Sequence, residues 1–218
     1  MGRGVAEWTS ISSSWPVAAA ASPPGPDQRS RLVPVHLSSA EHAVVGAACE
    51  RLIPADESPG AAAAGAADYI DALLGAFRFD PPRIWAGGPF SGRAGGRAGF
   101  GDFVPLDPLD ELAWRTRIEG SRGRVEREWN GPVIGLQEQY EAGIAALGLD
   151  FAGLGAGDQD ARLDAAPEFR SLLYEHACEA MYGPPEYGGN RDLVGWRSIG
   201  FEGDVQPRGW TAAEVSEP

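Results

Sequence analysis

The sequence predicts an all-α protein: a compact bundle of about five main helices, broken by a long Gly/Pro-rich insert and followed by an irregular C-terminal arm. Three observations carry this expectation. Apolar residues recur at helical spacing in every ordered stretch, no stretch sustains period-two alternation, and the periodic runs begin and end at recognisable caps. With 218 residues, the chain is long enough for one good core.

Residues 1–33, rich in Ser, Ala and Pro, read as a disordered or processed segment, and residues 34–218 as a single helical domain. Order begins at Ser38, which forms a capping box with Glu41. Leu37, Val44, Val45, Ala48 and Leu52 follow on one face until Pro54 stops the helix. A second helix is expected from the run of alanines after Gly60 to about Phe79, burying Tyr69, Ile70, Leu73, Leu74 and Phe77. Gly and Pro then crowd a loop that also carries Trp85, Phe90, Phe100 and Phe103. A third helix centres on Leu109, Leu112 and Trp114, and a fourth aligns Val133, Gln137, Tyr140, Ile144 and Leu147 before Gly148. A short helix over "GDQDARLDA" leads to the last main one. There Pro167 sits in the first turn, and Phe169, Leu172, Leu173, His176, Ala180 and Met181 form a stripe. The arm, about 182–218, includes "PPEYGGNRDLVGWRSIGFEGD".

Net charge is −13 and the pI about 4.6, which argues against nucleic acid or an anionic membrane surface as partner. No apolar run approaches the length of a membrane span. Cys49 and Cys178 are the two cysteines, in no metal-ligand pattern; a reduced place in the core is favoured over a disulfide formed on export. "GGPFSGR" has P-loop glycine spacing, but Arg93 and Ala94 stand where Lys and Ser/Thr are needed; "GLGAG" lacks the third dinucleotide-binding glycine. His176 on its apolar stripe reads as a core histidine, the alternative being a dyad with Cys49. His36 and His42 have no third ligand, and pairs such as Asp158 and Asp160 fall on polar faces.

Five arginines from Arg115 to Arg127, Arg122 among them, alternate with acids between Trp114 and Trp129. This is either a solvated ion-paired surface or an interface patch. In the arm, Tyr187, Trp196, Ile199 and Phe201 are too apolar for a casual tail, and Gly188, Gly189 and Asn190 permit close or left-handed backbone. Residues alone therefore point to a binding or accessory protein. The alternative is a self-sufficient enzyme or small-ligand binder using the Gly-rich loop as a lid near His176.

"ERLIPADESPGA", then "DYIDALL", then the terminal P-x-YGGN…GW-x-x-IGF-x-G resemble the gluconate 2-dehydrogenase subunit 3 family, over about residues 37–205. The resemblance implies a non-catalytic small subunit that stabilises or chaperones a large flavoprotein of the glucose–methanol–choline (GMC) type. That partner would hold the FAD and the catalytic residues, in some complexes with a cytochrome c subunit, and this chain would hold no cofactor or metal. A sugar, sugar acid or glycoside is the implied substrate; the insert from about Asp80 to Pro132, outside the family's core motifs, keeps a glycoside among them. The family implies a periplasmic or extracytoplasmic site. No clear signal peptide or twin-arginine motif is present, which leaves the cytoplasm open.

Overall fold

The computed structural model describes residues 34–80, 82, 84 and 106–201. Eight α-helices and no strand occur among them: α1 (Ser39–Leu52), α2 (Ala61–Ala64), α3 (Ala66–Leu74), α4 (Pro108–Glu119), α5 (Leu136–Leu147), α6 (Ala156–Asp164), α7 (Pro167–Tyr182) and α8 (Val194–Ser198). The N-terminal segment, most of the Gly/Pro loop and the end of the arm lie outside the described residues.

The capping box of α1 forms in both halves, with Glu41 N–H donating to Ser38 Oγ and Ser38 N–H to Glu41 Oε2. α1 then serves as the central helix, packing on α2, α3, α5, α6 and α7. Val44, Val45, Ala48 and Cys49 supply its buried face, against Ile70 and Leu74 of α3, Tyr140, Ile144 and Leu147 of α5, and Leu173, Ala177 and Ala180 of α7. Each fully buried aliphatic of this kind contributes about 1.5–3 kcal/mol.

After α1 the chain reverses through Pro54. The Glu50 carboxylate closes the reversal, accepting from Ala55 N–H and Ala62 N–H, both at 2.9 Å. Gly60 lies so close that a Cβ would stand 2.5 Å from Ala55 N, so only glycine fits there.

The single helix expected up to about Phe79 is divided. Gly65 takes φ +78 and ends α2, α3 starts immediately after it, and a 3-10 turn covers Ala76–Arg78. The left-handed glycine turns the chain, and a Cβ on it would crowd the Arg191 guanidinium from the arm at 3.0 Å. α4 differs in its facing. Asp107 caps it through Leu109 N–H and Asp110 N–H, leaving Leu109 76% exposed while Ile118 carries the burial. α5 starts at Leu136, so Val133 precedes it and is part-exposed. Gly135 backs onto Gly120, with an added Cβ 2.2 Å from Gly120 N, which ties the start of α5 to the end of α4. Between α6 and α1 the Arg51 guanidinium meets the Asp160 carboxylate bidentately, both contacts at 2.6 Å.

Candidate partner interface

The arm is built on the C-terminal end of α7. Asn190 organises it: fully buried and left-handed at φ 44, it donates its N–H to Ala180 O and its Nδ2 to Gly183 O at 3.2 Å. Its Oδ1 accepts from Gly195 N–H at 3.1 Å. A buried polar side chain is tolerated when its groups are paired in this way. Gly189 and Gly195 let the two backbones touch, since a Cβ would meet Ala180 O at 2.4 Å in the first case and Met181 O at 1.8 Å in the second. α8 is thereby held on α7, and Trp196 is buried beneath it, its indole N–H donating to Tyr182 O at 2.7 Å. The Phe201 ring meets Trp196 edge-on at 4.9 Å.

The indole expected to fill a partner's pocket thus fills one in its own chain. Glycine-rich spacing places an aromatic near a close backbone contact without saying whose backbone it is. Ile199 (60% exposed) and Phe201 (43%) are apolar residues that the described part of the arm turns outward.

A second anchor ties the arm to α1 and α3. Asp68 receives both the Arg191 guanidinium and His42 Nε2, the latter at 2.9 Å. The hydrogen bond to Asp68 holds the half-buried His42 above its ordinary pKa, and His42 and Arg191 hold the Asp68 carboxyl below its own. Asp71, buried one turn on, accepts from the backbone N–H groups of Val35, His36 and Leu37 and fixes the segment entering α1.

Trp114 and Tyr187, expected from sequence as interface residues, come together on one apolar cavity of about 340 Å³. Leu73, Ile84 and Pro184 line it with them, as does the Glu179 carboxylate, which accepts from Tyr69 O–H at 2.8 Å. Burial pushes the Tyr69 phenol well above its usual range, so it stays a neutral donor. Arg122 and Trp129 lie elsewhere, on the turns before and after the 3-10 segment Val125–Arg127 that follows α4, with Trp129 84% exposed. The arginine stretch is partly ion-paired: Arg115 bridges Glu111 and Glu119, and Arg127 reaches Glu119 at 2.9 Å.

His176 is buried in the core, its Nδ1 2.8 Å from Tyr140 O–H and its ring parallel to the phenol. Burial lowers its pKa, favouring the neutral ring that the tyrosine can satisfy. Burial pushes the Cys49 thiol up to about 12, opposite to the shift a nucleophile needs. Both cysteines are free thiols. Among the described residues no three His, Cys, Asp or Glu side chains group as metal ligands, and no helix is long and apolar enough to cross a membrane.

The model of the gluconate 2-dehydrogenase subunit 3 family matches residues 39–203, most of the chain. The chain belongs to this family. It is accordingly an accessory subunit of a multi-subunit dehydrogenase, and has partner subunits. No curated protein and no solved structure matches the chain significantly.

In this family member the second and third motif blocks meet in space, and the first shapes the turn that leads to them. Glu50 and Gly60 of "ERLIPADESPGA" close the α1–α2 reversal, Asp68 and Tyr69 of "DYIDALL" receive the arm and the end of α7, and YGGN with the later Gly-Trp supplies the arm's close contacts. Sequence reasoning missed Glu50, Asp68, Asp71 and Arg191. Their signal is faint but present in Asp71, an acid on the buried face of α3 between Ile70 and Leu74.

Proposed function

We propose that this chain stabilises the catalytic subunit of a dehydrogenase that oxidises a sugar, sugar acid or glycoside, and that this subunit is a GMC-type flavoprotein holding the FAD. In some complexes of this kind a cytochrome c subunit is added. The observation that carries it is the match to a dehydrogenase-subunit family across residues 39–203. Two features of the molecule support it. The histidine and buried cysteine that a self-sufficient enzyme would use are enclosed, one held by Tyr140 and the other shifted away from reactivity. The Trp114–Tyr187 cavity and, separately, the outward Ile199 and Phe201 offer apolar and aromatic groups of the kind that anchor interfaces.

The test is co-expression with a candidate GMC-type flavoprotein subunit from the same genome, followed by co-purification monitored by flavin absorbance. Tyr187→Ala and Trp114→Ala should each cost about 2 kcal/mol of binding if they are central anchors, a roughly thirtyfold weaker Kd. The variants' melting temperatures are measured alongside. Failure to co-purify, or sugar oxidation by this chain alone, overturns the proposal.

A further inference from the structure

Where α4 ends, the chain makes a turn that ordinary side chains resist: Arg122 stands at φ 46 and Gly123 at φ +76. A bulky non-glycine residue in the left-handed region is strained, and such strain is commonly retained where it places a side chain. Here it places Arg122 with Arg124, Arg127 and Arg78 around one cavity of about 260 Å³. Four guanidinium groups share this wall in a chain of net charge −13, and the one carboxylate lining it, Glu119, already accepts from Arg115 and Arg127. Glu128, on the same loop, accepts from Gly123 N–H.

Among the described residues most of the donors of these arginines are unused. Arg78 gives an N–H to Val35 O and Arg122 one to Gln137 Oε1, while the Arg124 side chain makes no hydrogen bond among the described residues. Arg127 is 5% exposed and donates to Gly120 O and Glu119, yet its Nε–H has no partner. Among the described residues it is the single buried side-chain N or O atom in that state. An unsatisfied charged donor in a buried position is costly, and so is a cluster of like charges without a counter-ion.

We propose that this cavity is an oxyanion site, which takes a carboxylate or phosphate group through the guanidinium groups of Arg122 and Arg124, on a cationic wall that Arg78 and Arg127 complete. Guanidinium forks suit both groups, since each presents paired oxygens at bidentate spacing. The site rests on this chain's own residues and does not depend on the identity of the catalytic subunit. Two sources share the chemistry: a free anion, or an acidic side chain of a partner subunit.

The test titrates the full chain with inorganic phosphate and, separately, with acetate, by calorimetry at low ionic strength with chloride as control. Saturable binding is expected for at least one probe. The double variant R122Q/R124Q should bind it at least tenfold more weakly, with its own melting temperature in the absence of probe unchanged or raised, since two of the crowded like charges are gone. Repeating the titration on the co-purified complex separates the sources. Binding retained there marks a free-anion site; binding lost there, with the double variant assembling more weakly, marks a partner's carboxylate. No saturable binding to the isolated chain, or binding indifferent to the substitutions, overturns the proposal.

Discussion

Asn190 and Arg127 are both buried polar side chains on irregular backbone, and the fold satisfies them differently. Around Asn190 the backbone is left-handed at three non-glycine positions, Asn190, Asp192 and Leu193, yet the amide finds partners on α7 and α8 for both its ends. Around Arg127 the strained turn at Arg122 ends in a cationic wall with one N–H unmatched. Strain in the arm is offset inside the chain; strain after α4 is not. The difference separates a segment that completes a subunit from one still open to something else.

Substitutions can break this contrast, most forcefully in the arm. Gly195→Ala drives a Cβ into Met181 O, a backbone atom that cannot step aside. A loss of about 3 kcal/mol is expected, read as a melting temperature lower by roughly 6–12 °C, whereas Gly153→Ala, with open space around it, should change stability by less than about 0.5 kcal/mol. Equal melts for the two variants would mean that the arm is not seated on α7.

Asn190→Ala should follow, at about 2 kcal/mol, because Gly195 N–H is left buried without an acceptor. Asn190→Gly keeps the left-handed backbone and loses only the amide, so denaturant midpoints of the pair divide the cost between conformation and hydrogen bonding. Gly123→Ala meets no neighbour within 4 Å and should cost about 1 kcal/mol from its positive φ alone. A loss as large as that of Gly195→Ala would show the turn after α4 to be as tightly packed as the arm.

The smallest effect is conditional on pH. His42 is raised by Asp68, so its contribution is full below the unfolded value of about 6.5 and is lost as pH rises through the folded value. Asp68 is lowered, so its contribution is present above the unfolded carboxylate value and lost as pH falls through the folded one. His42→Asn should therefore destabilise by about 1 kcal/mol near pH 5.5 and by less near pH 8.5, in paired urea melts. A difference that is flat with pH would remove His42 from the arm's anchor.

The helices were readable from sequence wherever one element's own spacing decides the outcome. Ser38 with Glu41 marks the start of α1, Gly148 the end of α5, and the stripe of α7 holds at Phe169, Leu173, His176, Ala180 and Met181. Reading failed where a distant residue decides. Glycine in an alanine run is compatible with helix, and the break at Gly65 is paired with an arginine far along the chain. Leu109 reads as inward by composition, but the cap at Asp107 sets the helix so that Ile118 is buried. Within the arm, the glycines and Asn190 were legible as close-approach positions, whereas the direction in which Trp196 faces depends on the end of α7. Trp114 and Tyr187 were singled out separately, and their shared cavity was not legible because folding alone joins them.

The two thiols lend themselves to protein chemistry. Cys49 is sealed in α1 at a pKa of about 12, while Cys178 sits part-exposed on α7, within three residues of the segment that grips the arm. Thiolate supply and access govern alkylation, so a maleimide dye applied to the folded chain should attach once, at Cys178, and twice only after denaturation. No cysteine need be engineered: the native sequence already carries a single-label handle about one helical turn from the Ala180 and Gly183 carbonyls that hold Asn190, where fluorescence can report arm opening and partner engagement in solution.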